Sequence, residues 1–317
     1  FDNVTGVQTC ALPISVVGLC LTLPAALTAC THAEDWNVQS GSGSSTPQGY
    51  DVSGIEPQAD IIAMLPEGAL SDGVFDVGAS TDYAPAEFLS PSGVAMGYEV
   101  DLDHAIAAVL GVTAQVHTAE FDSIIASIGS RYDVGISAFT ITNERMATMD
   151  MISISNVGSR FYVAAGNPEG VDPSDHLNLC GLAVGVQTGT YQEKALKEDS
   201  TACTEAGRSP ISVRSYSTNS DATTALIGHT IQAVYSDSTV AGYAVERTGE
   251  QVETVGEIED ALPQGIVLPK GDPQLTAAVR AAVQYLMDEG IWAEILATWG
   301  VEDAALSTAV LNPTVKD

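Results

Sequence analysis

Short apolar runs alternate with segments of helical periodicity from about residue 57 onward. The runs at residues 74–80, 113–119 and 132–139 are rich in Val, Ile, Phe and Tyr, as buried strands are. Leu102, Ile106 and Val109 mark one apolar helix face between the first two runs, and residues 121–129 form another helical segment. This order predicts an α/β fold with a mostly parallel sheet, helices on its faces and ligands at the carboxyl ends of the strands.

The same alternation begins again at residue 182. An apolar strand runs into a glycine-containing turn, and Thr190 with Glu193 has the spacing of a capping box that opens a helix. Strand-like, helical and strand-like segments follow in turn, and near the C-terminus one more strand precedes two helices that Gly290 separates. The pattern therefore predicts a second α/β unit and a helical C-terminal segment.

Arg145 stands in the first turn of a predicted helix whose N-cap is Thr142. A cation there is disfavoured by roughly 0.3 to 1 kcal/mol, because the helix N-terminus carries partial positive charge. Something negative should offset it. One candidate is Glu144 or another carboxylate of the chain, and the other is an anionic ligand bound by the guanidinium fork.

The charge balance limits the classes of partner. The chain has 317 residues and is 45% hydrophobic, enough for large cores, and its formal net charge is −30. Such a charge argues against binding to nucleic acid or to an anionic membrane surface. The carboxylates are scattered, which is typical of a solvated acidic surface with a mild attraction for cations.

The first 56 residues have the composition of an export signal and a linker. Residues 1–30 contain an apolar stretch that ends in Leu27-Thr28-Ala29-Cys30, which matches a bacterial lipobox and predicts a lipid anchor on Cys30. An ordinary signal peptide with an incidental cysteine is the alternative. Residues 4–14 resemble translated adapter sequence and carry no interpretation. Residues 31–56 are rich in Gly, Ser and Pro and predict a flexible tether.

Cys180 and Cys203 are the two cysteines left after the N-terminal ones are set aside. In an exported protein an isolated pair predicts a disulfide, with two free thiols as the alternative. Closing this loop would contribute roughly 3 kcal/mol by chain entropy. The five histidines are dispersed, and neither a metal site nor a cofactor is expected.

Four segments resemble one known family in order, over residues 75–300. They are "STDYAPAEF…GYEVDLDHAIA", "FDSIIASIGSRYDVGISAFTITNER", "VGVQTGTYQEKAL" and "GIVLPKGD…MDEGIWAEILATWG". The family is the polar amino acid-binding group of ABC-importer substrate-binding proteins, with the type II periplasmic-binding fold. The resemblance implies two lobes joined by a hinge of two crossing strands. Lobe one would hold residues 57–159 and 263–317, and lobe two residues 160–262.

The resemblance also assigns roles to individual positions. Arg145 matches the arginine that binds the ligand α-carboxylate, and Asp237 matches the aspartate that binds the α-ammonium. The backbone carbonyl of Ala138 and the hydroxyl of Thr140 match further contacts of the amino group. The N–H groups of Gly189, Thr190 and Tyr191 match those that meet the carboxylate, and Tyr83 and Phe121 match aromatic walls of the pocket.

Ser80 departs from the family pattern, since many relatives have an acid there. Its loss weakens the hypothesis of a cationic substrate, and the amino acid cannot be named from the sequence. The resemblance implies an extracytoplasmic lipoprotein that captures an amino acid or similar zwitterion and delivers it to the transmembrane subunits of an ABC permease.

An enzyme of dehydratase type and a ligand-sensing module are the alternatives. The chain has no G-x-S-x-G elbow, no phosphate loop and no candidate Cys–His pair, so the sequence favours a binding protein over an enzyme.

Overall fold

The computed structural model describes residues 48–316, so the predicted signal, lipobox and residues 31–47 of the tether lie outside the described part. The strands are β1 (Val74–Ala79), β2 (Asp82–Tyr83), β3 (Glu87–Leu89), β4 (Ala95–Met96), β5 (Thr113–Thr118), β6 (Val134–Gly135), β7 (Met149–Ala164), β8 (Ala183–Gln187), β9 (Ser212–Tyr216), β10 (Ala233–Asp237) and β11 (Val252–Pro269). The α-helices are α1 (Ala59–Ile62), α2 (Tyr98–Leu110), α3 (Phe121–Ser127), α4 (Asn143–Thr148), α5 (Tyr191–Glu205), α6 (Asn219–Ile227), α7 (Ser238–Arg247), α8 (Pro273–Asp288) and α9 (Ile291–Thr298).

One eight-stranded sheet organises the fold, in the order β5-β1-β6-β11-β7-β10-β8-β9. Strands β5, β1 and β6 are parallel to one another, and so are β10, β8 and β9. The long strands β7 and β11 pair antiparallel between these two groups, with register shifts near the middle of the pair. The α/β fold class with two crossing strands is therefore confirmed.

The N-caps predicted at Thr142 and Thr190 are confirmed. Thr142 caps α4 by accepting a hydrogen bond from the Arg145 N–H, and Thr190 caps α5 by accepting from the Glu193 N–H. Gly111 ends α2 in the left-handed conformation that favours glycine. The strand predicted over residues 132–139 is shorter, because Val134–Gly135 alone pairs and Ala138 has a φ of +47°.

Apolar cores lie on each side of the central strand pair. The largest packs β1, α2, α8 and α9 together around Phe75, Leu102 and Trp292. On the other side, Phe161, Val184 and neighbouring residues form a second core, which includes Cys203. The predicted disulfide between Cys180 and Cys203 is confirmed, with Cα atoms 5.6 Å apart.

The end of the predicted tether is packed against the fold. The Tyr50 N–H donates to Asp101 on α2 at 2.8 Å, and its hydroxyl donates to Glu294 on α9 at 2.8 Å. Residues 48–56 are thus not a flexible linker in the structure, because these long-range bonds hold them on α2 and α9. Within residues 48–316, no helix is both long enough and apolar enough to cross a membrane.

Candidate functional site

A small cleft opens where the carboxyl ends of β6, β8 and β10 meet, across the central strand pair. The cleft is nearly closed, because side chains from both sides of the strand pair meet across it. The cleft is lined by Tyr83, Phe121, Ala138, Thr140, Arg145, Gln187, Thr190, Tyr191, Gln192 and Asp237.

Arg145 reaches the cleft from the first turn of α4. Its guanidinium donates to the Thr140 carbonyl at 2.7 Å and to the Gly189 carbonyl at 3.0 Å, so it touches both sides of the cleft. The Phe121 and Phe139 rings lie 5.5 and 5.4 Å from its central carbon, within cation–π range. A guanidinium has five donors, and these two carbonyls use two of them.

Glu144, one of the two sequence candidates for offsetting the charge of Arg145, pairs with another residue. Glu144 pairs with Lys194 on α5 at 3.4 Å, and no carboxylate within residues 48–316 forms a salt bridge with Arg145. Partial burial lowers the pKa of Arg145 to about 10, while Asp237 acts in the opposite direction. The guanidinium therefore stays positive at neutral pH, with donors directed by carbonyls rather than neutralised by an acid.

Asp237 faces the cleft from the end of β10 and is buried. Gln192 donates to one of its carboxylate oxygens and Gln264 to the other, each at 2.7 Å. Burial raises the pKa of Asp237 to about 6, and these amide donors limit the rise. Because amides supply hydrogen bonds but no charge, the carboxylate keeps a negative charge that a ligand ammonium would balance.

The start of α5 forms the opposite wall. The Thr190 hydroxyl donates to the Gln187 carbonyl at 2.7 Å, and the Tyr191 hydroxyl donates to Asp260 at 3.2 Å. The Glu193 carboxylate accepts from the Gly189 N–H at 2.9 Å, whereas in a standard capping box it would accept from the N–H of the N-cap residue, Thr190. The Gly189 N–H, which the resemblance assigns to a ligand carboxylate, thus has Glu193 as its acceptor in this structure.

The remaining predicted contacts lie on the side of the cleft nearest α2 and α3. Tyr83 is buried, and its hydroxyl accepts from the Asp237 N–H at 3.2 Å, so it braces the aspartate from across the cleft. Phe121 stacks on Phe139 with centroids 4.7 Å apart. Ala138 and Thr140 line the floor between them and Arg145.

Ser80 does not line the cleft. Its hydroxyl donates to Asp82 at 3.2 Å and accepts from Gln187 at 3.2 Å, so it contacts the site only through a cleft residue. Burial raises the pKa of the nearby acid, Asp82, to about 6, and the Ser80 hydroxyl and the backbone at the start of α6 oppose this rise. Ser80 therefore lies behind the cleft residue Gln187.

Three glutamines form part of the site that the sequence did not reveal. Gln187 and Gln192 line the cleft, and Gln264 holds Asp237 from β11. Glutamine carries no motif by itself, and Gln264 is distant in sequence from the residue it contacts. Only the position of Gln192 beside the Thr190 cap offered a signal, because the first turn of α5 was already predicted to face the ligand.

Two larger surface grooves lie away from these residues, one of about 830 Å³ near Arg131 and Lys270 and one of about 1,010 Å³ near Tyr243 and Ile258. Neither brings opposite charges together from both halves of the sheet, as the cleft does. Among residues 48–316, no group of His, Cys, Asp and Glu side chains has the arrangement of a metal site.

Comparison with known proteins agrees with this architecture. Residues 75–302 match the family described as bacterial extracellular solute-binding proteins, family 3. The arginine-binding protein ArgT of Corynebacterium glutamicum is 35% identical over 84% of this chain and 87% of its own length. The L-cystine-binding protein TcyJ of Escherichia coli is 28% identical over 72% of this chain and 82% of its own length.

The solved structures give the same fold. An ancestral arginine-binding protein bound to arginine superposes with a TM-score of 0.66 and 29% identity, over 72% of this chain and 98% of that one. The family match spans most of the chain and the ArgT identity extends over nearly its full length. This chain therefore belongs to the bacterial extracellular solute-binding proteins, family 3.

Proposed function

We propose that this protein binds an amino acid, with arginine as the first candidate, and delivers it to the membrane subunits of an ABC importer. The observation that carries the proposal is the placement of Arg145 and Asp237 around one small cleft. A zwitterion matches that pair, with its carboxylate on the guanidinium fork and its ammonium on the aspartate.

The other cleft residues take supporting roles in this proposal. The Ala138 carbonyl and the Thr140 hydroxyl accept from the ammonium, and the backbone N–H groups of Thr190 and Tyr191 donate to the carboxylate. Tyr83 and Phe121 enclose the apolar part of the ligand. Residues 57–159 with 263–317 form one lobe and residues 160–262 the other, and the ligand stabilises their closure. The bond from Arg145 to the Gly189 carbonyl and the pair of Lys194 with Glu144 join the two sides.

Arginine comes first because ArgT is an arginine-binding protein and the ancestral structure is bound to arginine. The net charge of −30 also favours a cation. Ser80 argues the other way, since the acid expected there for a cationic side chain is absent. Citrulline is the uncharged isostere of arginine, so comparing the binding of the two ligands shows whether the protein prefers a cationic side chain. A dehydratase is not favoured, because the matching relatives are solute-binding proteins.

A thermal-shift screen of the twenty amino acids, cystine, ornithine and citrulline tests the proposal. A ligand at 100 times its Kd stabilises the native state by about 2.7 kcal/mol, which raises Tm by several degrees. Agmatine lacks the α-carboxylate and argininic acid lacks the α-ammonium, so both should fail where arginine succeeds. Equal shifts from arginine and agmatine, or no shift with any amino acid, would contradict the proposal.

The lipid anchor belongs to the same proposal but lies outside the described residues. Cys30 in the lipobox should tether the mature protein to the outer face of the cytoplasmic membrane. A variant Cys30→Ser should leave the membrane fraction, while the native sequence stays in it. Equal partition of the two forms would remove the anchor from the proposal.

A further inference from the structure

Glu87 on β3 and Glu99 on α2 are two carboxyl groups in the core beneath the cleft. They are 0% and 1% exposed, respectively. The cleft lining does not include them, and the proposed ligand contacts do not use them. Their burial is costly for any ionised carboxyl group without a cation, so they require a physical explanation.

Each carboxyl group uses one oxygen to hold the backbone beside the cleft. The Ser137 hydroxyl donates to Glu87 at 2.6 Å, and the Ala138 N–H donates to Glu99 at 2.6 Å. Ser137 also accepts from the Ser80 N–H at 2.9 Å, which ties the residue after β1 to the same segment. The two acids therefore hold adjacent residues of the segment that carries the proposed ammonium contact.

The second oxygens, Oε2 of Glu87 and Oε1 of Glu99, are buried and lack a donor among the described residues when both groups are ionised. The two acids hold adjacent residues of one segment, so a proton on Glu87 places a donor next to Glu99, and burial beside Glu99 raises the pKa of Glu87. A single shared proton thus satisfies both oxygens and removes one of two like charges.

The charged and titratable groups around the pair are acids and tyrosines, from every element packed on it. Asp237 and Asp82 act on the pair from β10 and β2, Asp103 from α2, and the hydroxyls of Tyr83 and Tyr98 lie in the same field. Arg145 acts on Asp237 instead. Burial raises the pKa of Glu99 to about 7 and that of Glu87 well above its usual range.

We propose that Glu87 and Glu99 form a proton-sharing pair that positions Ser137 and Ala138 and couples ligand binding to release of a proton. Glu99 is a positioning residue, since it acts through the Ala138 peptide. An ionised Glu99 polarises the Ala138 N–H, and its negative charge favours a ligand ammonium near Asp237. The ammonium in turn favours ionisation of Glu99. This coupling rests on the proposed function, whereas the proton sharing itself does not.

The mutual stabilisation of the ligand ammonium and ionised Glu99 determines how affinity changes with pH. If the bound ammonium lowers the pKa of Glu99, a proton leaves on binding around pH 7. Affinity then rises with pH across that region, by at most about tenfold per pH unit for one proton, and levels off above it. Asp237 adds a separate step near pH 6, so the two contributions must be separated by substitution.

Nuclear magnetic resonance of the Ala138 amide without ligand tests the pair directly. Its shift should titrate with a midpoint near pH 7 in the native sequence. Glu99→Gln should abolish the step. Glu87→Leu should move it to higher pH, because the donor that lowers the pKa of Glu99 is removed, whereas Glu87→Gln keeps a donor and should leave it in place. Asp103→Asn is the matched control, a buried acid on the same helix without a bond to the segment, and should leave the step in place.

Calorimetry with L-arginine in two buffers of different ionisation enthalpy measures the coupling between pH 5.5 and 8. Proton release at pH 7 should be present in the native sequence and in Asp103→Asn and lost in Glu99→Gln. An Ala138 amide that does not titrate near pH 7 in the native protein overturns the pair, even if the variants fail to fold. If arginine and the other amino acids do not bind but Ala138 titrates, the proposed function fails and the pair stands. Equal proton release in the native protein and Glu99→Gln overturns the coupling alone.

Discussion

Arg145 and Asp237 are held in their charged forms by different surroundings. Arg145 is partly buried, donates to two carbonyls and lies against two aromatic rings. Its pKa of about 10 leaves it positive across the neutral range. Asp237 is buried among amide donors, and its pKa of about 6 places its ionisation close to neutral pH. Arg145 therefore keeps its charge across the neutral range, whereas mild acid neutralises Asp237.

Removing either charge should produce the largest loss of affinity. Truncating one partner of a buried charge pair costs about 2 to 5 kcal/mol, so Arg145→Ala and Asp237→Ala should each weaken arginine binding by roughly 30-fold to several thousand-fold. Arg145→Lys should recover little, because an ammonium cannot form two parallel bonds to a carboxylate. Calorimetry measures the affinities. Near-native binding by Arg145→Ala would return that residue to a structural role.

Acid should weaken binding through Asp237 and not through Arg145. The folded carboxyl group has a raised pKa of about 6, and the ligand ammonium favours its ionised form, so protons compete with the ligand below that pH. Affinity should fall by about tenfold per pH unit below 6, beyond any change near pH 7. Calorimetry from pH 4.5 to 7 in a Glu99→Gln background isolates this step. A flat profile would show that Asp237 does not contact the ammonium.

The amides around Asp237 should contribute less than the charge itself. Replacing Gln264 by Leu removes one donor to the carboxylate, and a hydrogen bond to a charged group is worth about 1.5 to 3 kcal/mol. Affinity at pH 7 should fall by roughly 10- to 100-fold and recover in part at pH 8, because the substitution raises the pKa of Asp237. Gln284→Leu, whose amide donates to Asp288 on the exposed part of α8, is a matched control. Loss without recovery at pH 8 would indicate a misplaced strand.

The aromatic rings around Arg145 should have the smallest effect. Phe139→Leu keeps an apolar residue but removes one ring 5.4 Å from the guanidinium. Cation–π contacts at such sites are worth about 0.5 to 1 kcal/mol, so affinity should fall by about two- to fivefold with no new pH dependence. Competition binding with labelled arginine resolves this range. A loss as large as that of Arg145→Ala would mean that the ring, and not the carbonyls, orients the guanidinium.

Local signals in the sequence predicted the elements better than the contacts between them. Thr142 and Thr190 each act within one helical turn, and both N-cap predictions hold. The packing of Tyr50 depended on chain segments far apart, because Asp101 and Glu294 hold it. The partner of the Gly189 N–H was missed although it lies only four residues away, because the Glu193 side chain turns back one residue further than in a capping box.

The polar groups behind the cleft could not be predicted from the sequence for a related reason. Gln264 and Gln192 meet at Asp237 from separate elements, and Glu87 meets Glu99 only because β3 lies beside the start of α2. No spacing rule relates such residues. The charged pair was accessible to sequence reasoning because the resemblance placed it, whereas the groups that hold it depend on three-dimensional packing.

The late position of β11, α8 and α9 in the sequence has a consequence for synthesis of the chain. The core around Phe75 and Leu102 also contains Leu275, Trp292 and other residues from α8 and α9. The strand β6, near the middle of the chain, pairs with β11 near its end. The N-terminal half therefore cannot bury its core until about 300 residues have been made, while β8, β9, β10 and the disulfide use only contiguous chain. A product ending at residue 262 should leave the first half exposed and prone to aggregation, although its second half is complete.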